Sequence, residues 1–289
     1  MQIRTVLCPI DFSTLDPAEV DMAIEVCRTF GARLVVHHNF AAAEPGFSRA
    51  WEWEKAHQPT SRAQPEAERR LRSVVERAKR DVAAEGLMTV GPVGPVVLAL
   101  AEDLRADLLV LGSHGWSTQD HASVTERVVR ESPCPVLTFQ ERVDRPGFRL
   151  RREREQDPPW RVVLPTDLTS ASAAAVAYGF ALARKLPLQL DLLHVIDPGH
   201  LERQRQQAAR DALEALVPPD LAGTVATHVR GGPAAAGIVE HVAAVQPMFT
   251  ILGEHAHGLV RRLLTRDTTC QVMHRVECPV WVVPSRWPA

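Results

Sequence analysis

The sequence repeats itself, and this repeat constrains the fold more than any other feature. Residues 3–13 read IRTVLCPIDFS, and residues 159–169 read PWRVVLPTDLT. Ordered matches of this kind indicate a duplicated structural unit. We therefore predict two homologous domains. One constant offset pairs Val6 with Val162, Pro9 with Pro165, Asp11 with Asp167 and His38 with His194.

Later in each copy the matches continue at a shorter offset. The change predicts an insertion in the first copy between Glu44 and Thr60, where Trp51 and Trp53 form either an exposed contact patch or a cap over the pocket of their own domain. The predicted domains cover residues 1–143 and 158–289, joined by a charged linker over 144–157. The later matches are Gly91-Pro92 with Gly232-Pro233, Gly112 with Gly253, and Cys134-Pro135-Val136 with Cys278-Pro279-Val280.

Short apolar runs alternate with segments of helical periodicity. Continuous apolar strands separated by amphipathic helices are typical of a parallel sheet covered on both faces. We predict an α/β fold of two tandem doubly wound, Rossmann-like domains, each a five-stranded parallel sheet with helices on both faces. In the first copy the predicted strands are Val6–Ile10, Leu34–His38, Leu87–Val90, Leu108–Leu111 and Val136–Phe139, and the predicted helices run from an N-cap at Ser13 to Gly31 and over Leu71–Ala84, Val96–Leu104 and Val124–Val129.

Three polar or glycine positions follow apolar strands in the first copy. Asp11, His38 and Gly112 each stand at the carboxyl end of a predicted strand. In open parallel sheets, ligands bind beyond the carboxyl ends of the strands. The pattern predicts one binding site in each half.

Composition excludes several classes of protein. Lys and Arg total 33 against 35 Asp and Glu, a net charge of −2, so we expect no nucleic-acid binding. No run approaches the ~20 apolar residues of a membrane span, and the first residues lack a signal-peptide layout, so we expect a cytoplasmic protein that does not contact a membrane. The five cysteines form no C-x-x-C pair, which favours free thiols.

The motifs resemble those of the universal stress protein family in its tandem, two-domain form. They are PIDFS and PTDLT after the first strand of each copy, LLHV at 192–195, the Gly-x-Pro turn before the third helix, LVLGSHG and PCPVL. Members of this family that bind ATP use a strand-end aspartate for the adenosine and a loop for the phosphates. That loop reads Gly, two residues, Gly, nine residues, Gly-Ser/Thr. Glycines let backbone N–H groups approach phosphate oxygens, and the Ser/Thr opens a helix whose N-terminus favours anions.

The resemblance carries the nucleotide site onto the first half with two departures. The matching residues are Asp11, His38, Gly112, Gly115 and Ser123. Alanine stands at 122 where the family has glycine, and only six residues separate it from Gly115. Ser123 is expected to start the helix. For His38, a ligand contact and a hydrogen bond to neighbouring backbone are both open.

In the second half the resemblance implies a degenerate site. Asp167, His194 and Gly253 match the family, but Ala256 replaces the second glycine and the final pair reads Arg266-Asp267. A carboxylate at Asp267 would repel phosphate at the helix N-terminus. Arg266 could hold another anion or lie on a solvated helix face.

The resemblance implies a role in stress response and its regulation, with weak binding of ATP or a related adenine nucleotide in the first domain. Two alternatives stay open: an enzyme that hydrolyses ATP slowly or transfers its adenylyl group, and a protein-interaction scaffold that binds no nucleotide. We expect no catalytic residue, because no general base or Mg²⁺ cluster accompanies Asp11 and Asp167.

The last two expectations concern how the two domains pair and whether the chain binds a metal. Family domains pair through their last strands, which implies pairing of Val136–Phe139 with Val280–Val283 inside this chain; a homodimer and an unidentified protein partner stay open. We considered zinc at a set of histidines and a cysteine but expect no metal, because ordinary polar loop histidines explain that set. The set comprises His255, His257, Cys270 and His274.

Overall fold

A computed structural model describes most of the chain. The described residues pack into two compact units: the first holds Gln2–His114 with Thr118–Pro133, and the second holds Cys134–Ala289. Within these units the structure describes residues 1–12, 16–40, 63–113, 119–140, 150, 158–197, 199, 203–254 and 268–287.

Strands and helices alternate along the first unit. Its helices α1 and α2 are amphipathic, with Val20, Ala23 and Leu71 among the buried positions. In chain order the elements are β1 Thr5–Ile10, α1 Asp16–Phe30, β2 Arg33–Phe40, α2 Ala63–Ala78, β3 Ala84–Val90, α3 Val93–Asp103, β4 Leu108–Ser113 and α4 Gln119–Glu131.

The second unit repeats this alternation after one additional strand. Helix α5 is capped by Thr169, whose side chain accepts a hydrogen bond from the Ala171 N–H at 3.2 Å. The elements are β5 Val136–Gln140, β6 Trp160–Pro165, α5 Ser170–Ala183, β7 Leu188–Ile196, α6 Arg203–Leu216, a 3₁₀ turn Pro219–Leu221, β8 Val225–Gly231, α7 Ala234–Val245, β9 Phe249–Glu254, α8 Thr268–Met273 and β10 Val280–Pro284.

The sheet of each unit is parallel, as predicted. In the first unit the strand order is β3-β2-β1-β4, with Val6 opposite both Leu34 and Leu108. In the second the order is β5-β10-β9-β6-β7-β8; among its described strand pairs, β5–β10 is antiparallel and the others are parallel. Each copy of the repeat contributes five strands, which confirms the doubly wound α/β fold class.

The predicted pairing of the last strands is also confirmed. Val136, Leu137 and Thr138 of β5 lie opposite Val282, Trp281 and Val280 of β10. Through this pairing β5 packs with the second compact unit. The domain boundary at residue 143, which follows the sequence repeat, assigns β5 to the first domain and stays a prediction.

Three predicted helices of the first copy have different bounds in the structure, and the largest shift is that of α2. The helix predicted over Leu71–Ala84 spans Ala63–Ala78, and the next strand starts at Ala84 instead of Leu87. The chain turns after Ala78, where the Asp81 N–H donates to the Ala78 carbonyl at 3.0 Å. Val82 fits helical spacing, so periodicity alone extends the helix too far. No helix in the described part of the chain is long and apolar enough to span a membrane.

Candidate functional site

The turn after the first strand has the same strained backbone in both copies. Phe12 has φ 62° and Leu168 has φ 61°, values that side-chain-bearing residues rarely adopt. Strain of this kind persists only where the surrounding structure holds it, and it is concentrated at functional sites. The repeat therefore extends to the backbone of the turn that carries Asp11 and Asp167.

In the second copy, Asp167 organises this turn. Its Oδ1 accepts hydrogen bonds from the Thr169 N–H at 2.9 Å, the Thr169 hydroxyl at 2.8 Å and the Ser172 hydroxyl at 2.7 Å. Ser172 also lies 2.8 Å from the Thr166 hydroxyl. The carboxylate is thus a structural acceptor of its own loop.

His38 and His194 make equivalent contacts with the backbone. The His38 Nδ1 lies 2.9 Å from the Ile10 carbonyl, and the His194 Nδ1 lies 2.9 Å from the Thr166 carbonyl. In each copy that carbonyl belongs to the residue before the aspartate. Of the two alternatives for His38, the backbone hydrogen bond is present, and burial is the main cause that lowers the pKa of His38. A neutral imidazole therefore ties the second strand to the turn after the first.

Phe12 and Arg70 complete the strand-end surface of the first copy. The Phe12 ring packs on His38 with centroids 4.1 Å apart. The Arg70 guanidinium lies 4.5 Å from the Phe12 ring centroid and donates to the Phe12 carbonyl at 3.0 Å. Helix α2 thus brings a cation to the carboxyl end of β1. Neither residue was identified from the sequence.

A buried carboxylate contacts the first glycine of the predicted phosphate loop. Glu19 of α1 is 3% exposed and accepts a hydrogen bond from the Gly112 N–H. A Cβ on Gly112 would stand 2.6 Å from the Glu19 Cδ, so any larger residue would displace this side chain. The corresponding position in the second copy is Ala175, whose Cβ lies 3.5 Å from the place that a Cβ on Gly253 would take. The two copies therefore differ beside this glycine.

The second copy has a different buried acid at its loop. Glu254 directly follows Gly253 and is 6% exposed. The Thr269 hydroxyl of α8 donates to the Gly253 carbonyl at 3.0 Å. Each half therefore has a buried acidic residue at the first loop glycine: Glu19 contacts Gly112, and Glu254 follows Gly253 in the sequence.

A hydrogen-bonded chain supports the Gly91 turn, where φ is 147°. The Asn39 amide donates to the Gly91 carbonyl at 2.7 Å, and the Thr89 hydroxyl donates to the Asn39 Oδ1 at 2.8 Å. Because that hydroxyl proton is used, the Thr89 oxygen accepts from His37 Nε2 at 2.7 Å. Burial is the main cause that lowers the pKa of His37, to about 4.

The structure brings together some of the predicted nucleotide-site residues. Asp11, His38 and Gly112 lie at or just after the carboxyl ends of β1, β2 and β4, and these strands are neighbours. Gly115 and Arg266 lie outside the described residues. The expectation that the helix starts at Ser123 is wrong, because α4 begins at Gln119. The first unpaired N–H groups therefore precede Ser123.

Two of the four residues considered for zinc, His255 and His257, lie outside the described residues. Cys270 is buried in α8, and the His274 N–H donates to the Cys270 carbonyl at 3.0 Å. This hydrogen bond continues the helical turn.

Known proteins resemble the chain over both halves. The sequence model of the universal stress protein family matches residues 2–140 and 160–284. Universal stress protein Sll1654 from Synechocystis is 25% identical over 142 residues, which are 47% of this chain and 85% of that protein.

Two solved structures share the fold along nearly the whole chain. A universal stress protein from Archaeoglobus fulgidus superposes with a TM-score of 0.72 at 18% identity, covering 98% of this chain and 97% of that one. For a putative universal stress protein from Pseudomonas aeruginosa the TM-score is 0.60 at 14% identity, with coverage of 98% and 93%. With both copies matched by the family's sequence model, the chain belongs to the universal stress protein family.

Proposed function

We propose that this chain is a stress-response regulator that binds an adenine nucleotide weakly in its first half. The observation that carries the proposal is the convergence of Asp11, His38 and Gly112 on neighbouring strand ends. In this proposal, a protein partner binds the nucleotide-bound chain in preference to the free chain. The second half retains the architecture without the binding role.

The surface around Asp11 has the chemistry that a nucleoside requires. Asp11 is exposed at the strand end, where its carboxylate can accept hydrogen bonds from ribose hydroxyls. Arg70 stands over Phe12 and provides positive charge at the same edge. Phe12 and His38 together form an aromatic surface beside the carboxylate.

Glu19 explains why the proposed binding is weak. The Gly112 N–H donates a hydrogen bond to the Glu19 carboxylate. In the family's ATP-binding members this N–H would face a phosphate oxygen. Two negative charges about 4 Å apart repel by about 4 kcal/mol at an effective dielectric near 20. A ligand that relies on adenosine contacts is therefore favoured over one that relies on its phosphates.

Two departures from the family pattern argue against a second site. Ala256 replaces the second loop glycine, and Asp267 would place a carboxylate at the position that the family gives to Ser or Thr beside the phosphates. We propose that Asp11 positions a ligand and that neither Asp11 nor Asp167 supports ATP turnover.

Two measurements on the full chain test this proposal. Mass spectrometry of small molecules released from freshly purified, denatured protein is expected to detect an adenine nucleotide. Calorimetric titration with ATP is expected to give one site per chain, without hydrolysis over hours. Absence of binding at millimolar ATP would favour the scaffold alternative, and turnover abolished by Asp11→Ala would favour the enzyme.

A further inference from the structure

A buried cluster of ionisable side chains lies in the second unit, apart from the nucleotide edge. Asp191 is fully buried in β7, three residues before His194. His228 of β8 and His241 of α7 face it. Three separate elements thus contribute one possible metal ligand each.

The three residues of the cluster are found in the second copy of the repeat and not in the first. At the corresponding positions the first copy has Val35 for Asp191, Leu87 for His228 and Leu100 for His241. Three apolar residues are therefore replaced together by three side chains that meet in space. A polar group in a core is unfavourable unless it is partnered, so a single such replacement would be destabilising.

The distances within the cluster suit a tetrahedral cation. The Asp191 Oδ2 lies 3.2 Å from the His241 Nε2, and the Asp191 Oδ1 lies 3.4 Å from the His228 Nε2. The ligand atoms of all three residues lie within 4.8 Å of one another. Zinc bonds of about 2.0–2.1 Å require neighbouring ligand atoms about 3.3 Å apart. The three atoms therefore need only small movements to share one ion.

One ring nitrogen of His228 has no hydrogen bond within the cluster. Its Nε2 is buried and has no hydrogen-bond partner among the described residues, although it lies close to Asp191. His241, in contrast, is bonded on both sides: its Nε2 lies 3.2 Å from Asp191, and its Nδ1 accepts from Arg230 at 3.1 Å. An ion would give the His228 nitrogen the partner it lacks.

Two arginines compete with a cation for this cluster. Arg161 Nε lies 3.2 Å from Asp191, and its side chain is 44% exposed, so it can turn into solvent. Arg230 must also turn away, because a metal on His241 Nε2 moves the imidazole proton to Nδ1. We therefore expect an affinity in the micromolar range, below that of dedicated structural zinc sites.

From this geometry we propose that Asp191, His228 and His241 form a binding site for a zinc-class divalent cation, with one coordination position left for water. Imidazole and carboxylate ligands suit Zn²⁺ and its late first-row neighbours. The ion joins β7, β8 and α7. This proposal replaces our expectation of no metal and is independent of nucleotide binding.

The test is titration of chelator-treated full-length protein with Zn²⁺ in a calorimeter, and with Co²⁺ followed by visible absorption. The wild type is expected to bind one Zn²⁺ with a micromolar Kd, and Co²⁺ is expected to give the intense absorption of a tetrahedral site. His228→Leu, which copies Leu87, is expected to weaken Zn²⁺ binding at least 30-fold with an unchanged circular dichroism spectrum.

His274→Leu serves as the matched control, because His274 belongs to the same unit and to the other histidine set. Its Zn²⁺ affinity is expected to stay within twofold of the wild type. Arg161→Gln is expected to tighten binding at least threefold, because it removes the competing cation, and this variant keeps the test decisive if His228→Leu does not fold.

Wild-type protein that binds no Zn²⁺ at 1 mM would overturn the proposal, and the cluster would then be a closed ion-pair network. Unchanged affinity in His228→Leu would also overturn it. Loss of binding in His274→Leu would assign the ion to the other histidine set.

Discussion

The buried carboxylate of Glu19 accepts the backbone N–H of Gly112. The same side chain would collide with any Cβ at that glycine. Glycine at this point of the chain therefore accommodates an internal anion, whereas the family pattern associates it with phosphate. In the second copy a methyl group, that of Ala175, stands at the corresponding position.

We predict that Glu19→Ala, which copies Ala175, tightens ATP binding to the full chain about tenfold. The substitution removes a negative charge beside the loop and frees the Gly112 N–H for a phosphate oxygen. Tenfold corresponds to about 1.4 kcal/mol, well inside the repulsion expected for two such charges. Calorimetric titration with ATP measures the change.

Glu19→Gln separates charge from shape in this experiment. It keeps the side-chain volume and is expected to give most of the gain. Glu66→Ala, at an exposed glutamate of α2, is the control and should leave ATP affinity unchanged. If Glu19→Ala binds ATP no better than the wild type, the carboxylate does not limit the site.

The pKa of His37 predicts how stability depends on pH. His37 is fully buried, and its Nδ1 has no hydrogen-bond partner among the described residues. Burial is the main cause that lowers its pKa from 6.5 to about 4 in the folded protein, so the unfolded chain binds the proton more readily between these values. Stability from this group is complete above pH 6.5 and is lost as pH falls toward 4.

Between pH 7 and pH 5 this group is expected to remove about 2 kcal/mol from the free energy of unfolding, from the shift and 1.36 kcal/mol per pKa unit. Urea unfolding at the two pH values measures the loss. His37→Leu, which copies Leu193 of the second copy, should reduce the pH-dependent difference by that amount. An unchanged difference in His37→Leu would show that other groups cause it.

Much of the fold was predictable because the same pattern of strands and helices occurs in both copies of the sequence repeat. Apolar strands such as those ending at Ile10 and His38 recur at a constant offset, and the edge pairing of β5 with β10 followed from the family resemblance. Strand-end positions of Asp11, His38 and Gly112 followed from the order of parallel elements. Apart from the β5–β10 pairing, these features are local or repeated, so a single sequence is enough to predict them.

The features that escaped prediction depend on tertiary contacts. Glu19 is an acidic residue on an amphipathic helix, and such residues usually face solvent. Arg70 reaches Phe12 across the insertion, which no spacing encodes. Asp191 interrupts an apolar strand, and that interruption was the available signal for the buried cluster. His228 and His241 follow far along the chain, so their meeting became visible only in the fold.

Trp281 is predicted to be the largest single contributor to the core around β10. Its side chain is fully buried and packs on Tyr178 and Phe249, with ring centroids 5.8 Å and 5.6 Å away. Trp281→Ala should lower the free energy of unfolding by about 3–5 kcal/mol. Urea denaturation followed by circular dichroism measures this.

Trp287→Ala is the matched control, because Trp287 is only partly buried. It should lower the free energy of unfolding by about 1 kcal/mol or less, in keeping with its exposure. Equal losses in the two variants would contradict the placement of Trp281 in the core.

The most direct test of the proposed nucleotide site compares Asp11→Asn with Asp167→Asn in ATP titrations of the full chain. Asp11→Asn should weaken ATP binding at least tenfold. Asp167→Asn should lower the melting temperature, because its turn loses charge-assisted hydrogen bonds, and should leave ATP affinity within twofold of the wild type. If Asp167→Asn weakens ATP binding more than Asp11→Asn does, the nucleotide lies in the second half and the account is contradicted.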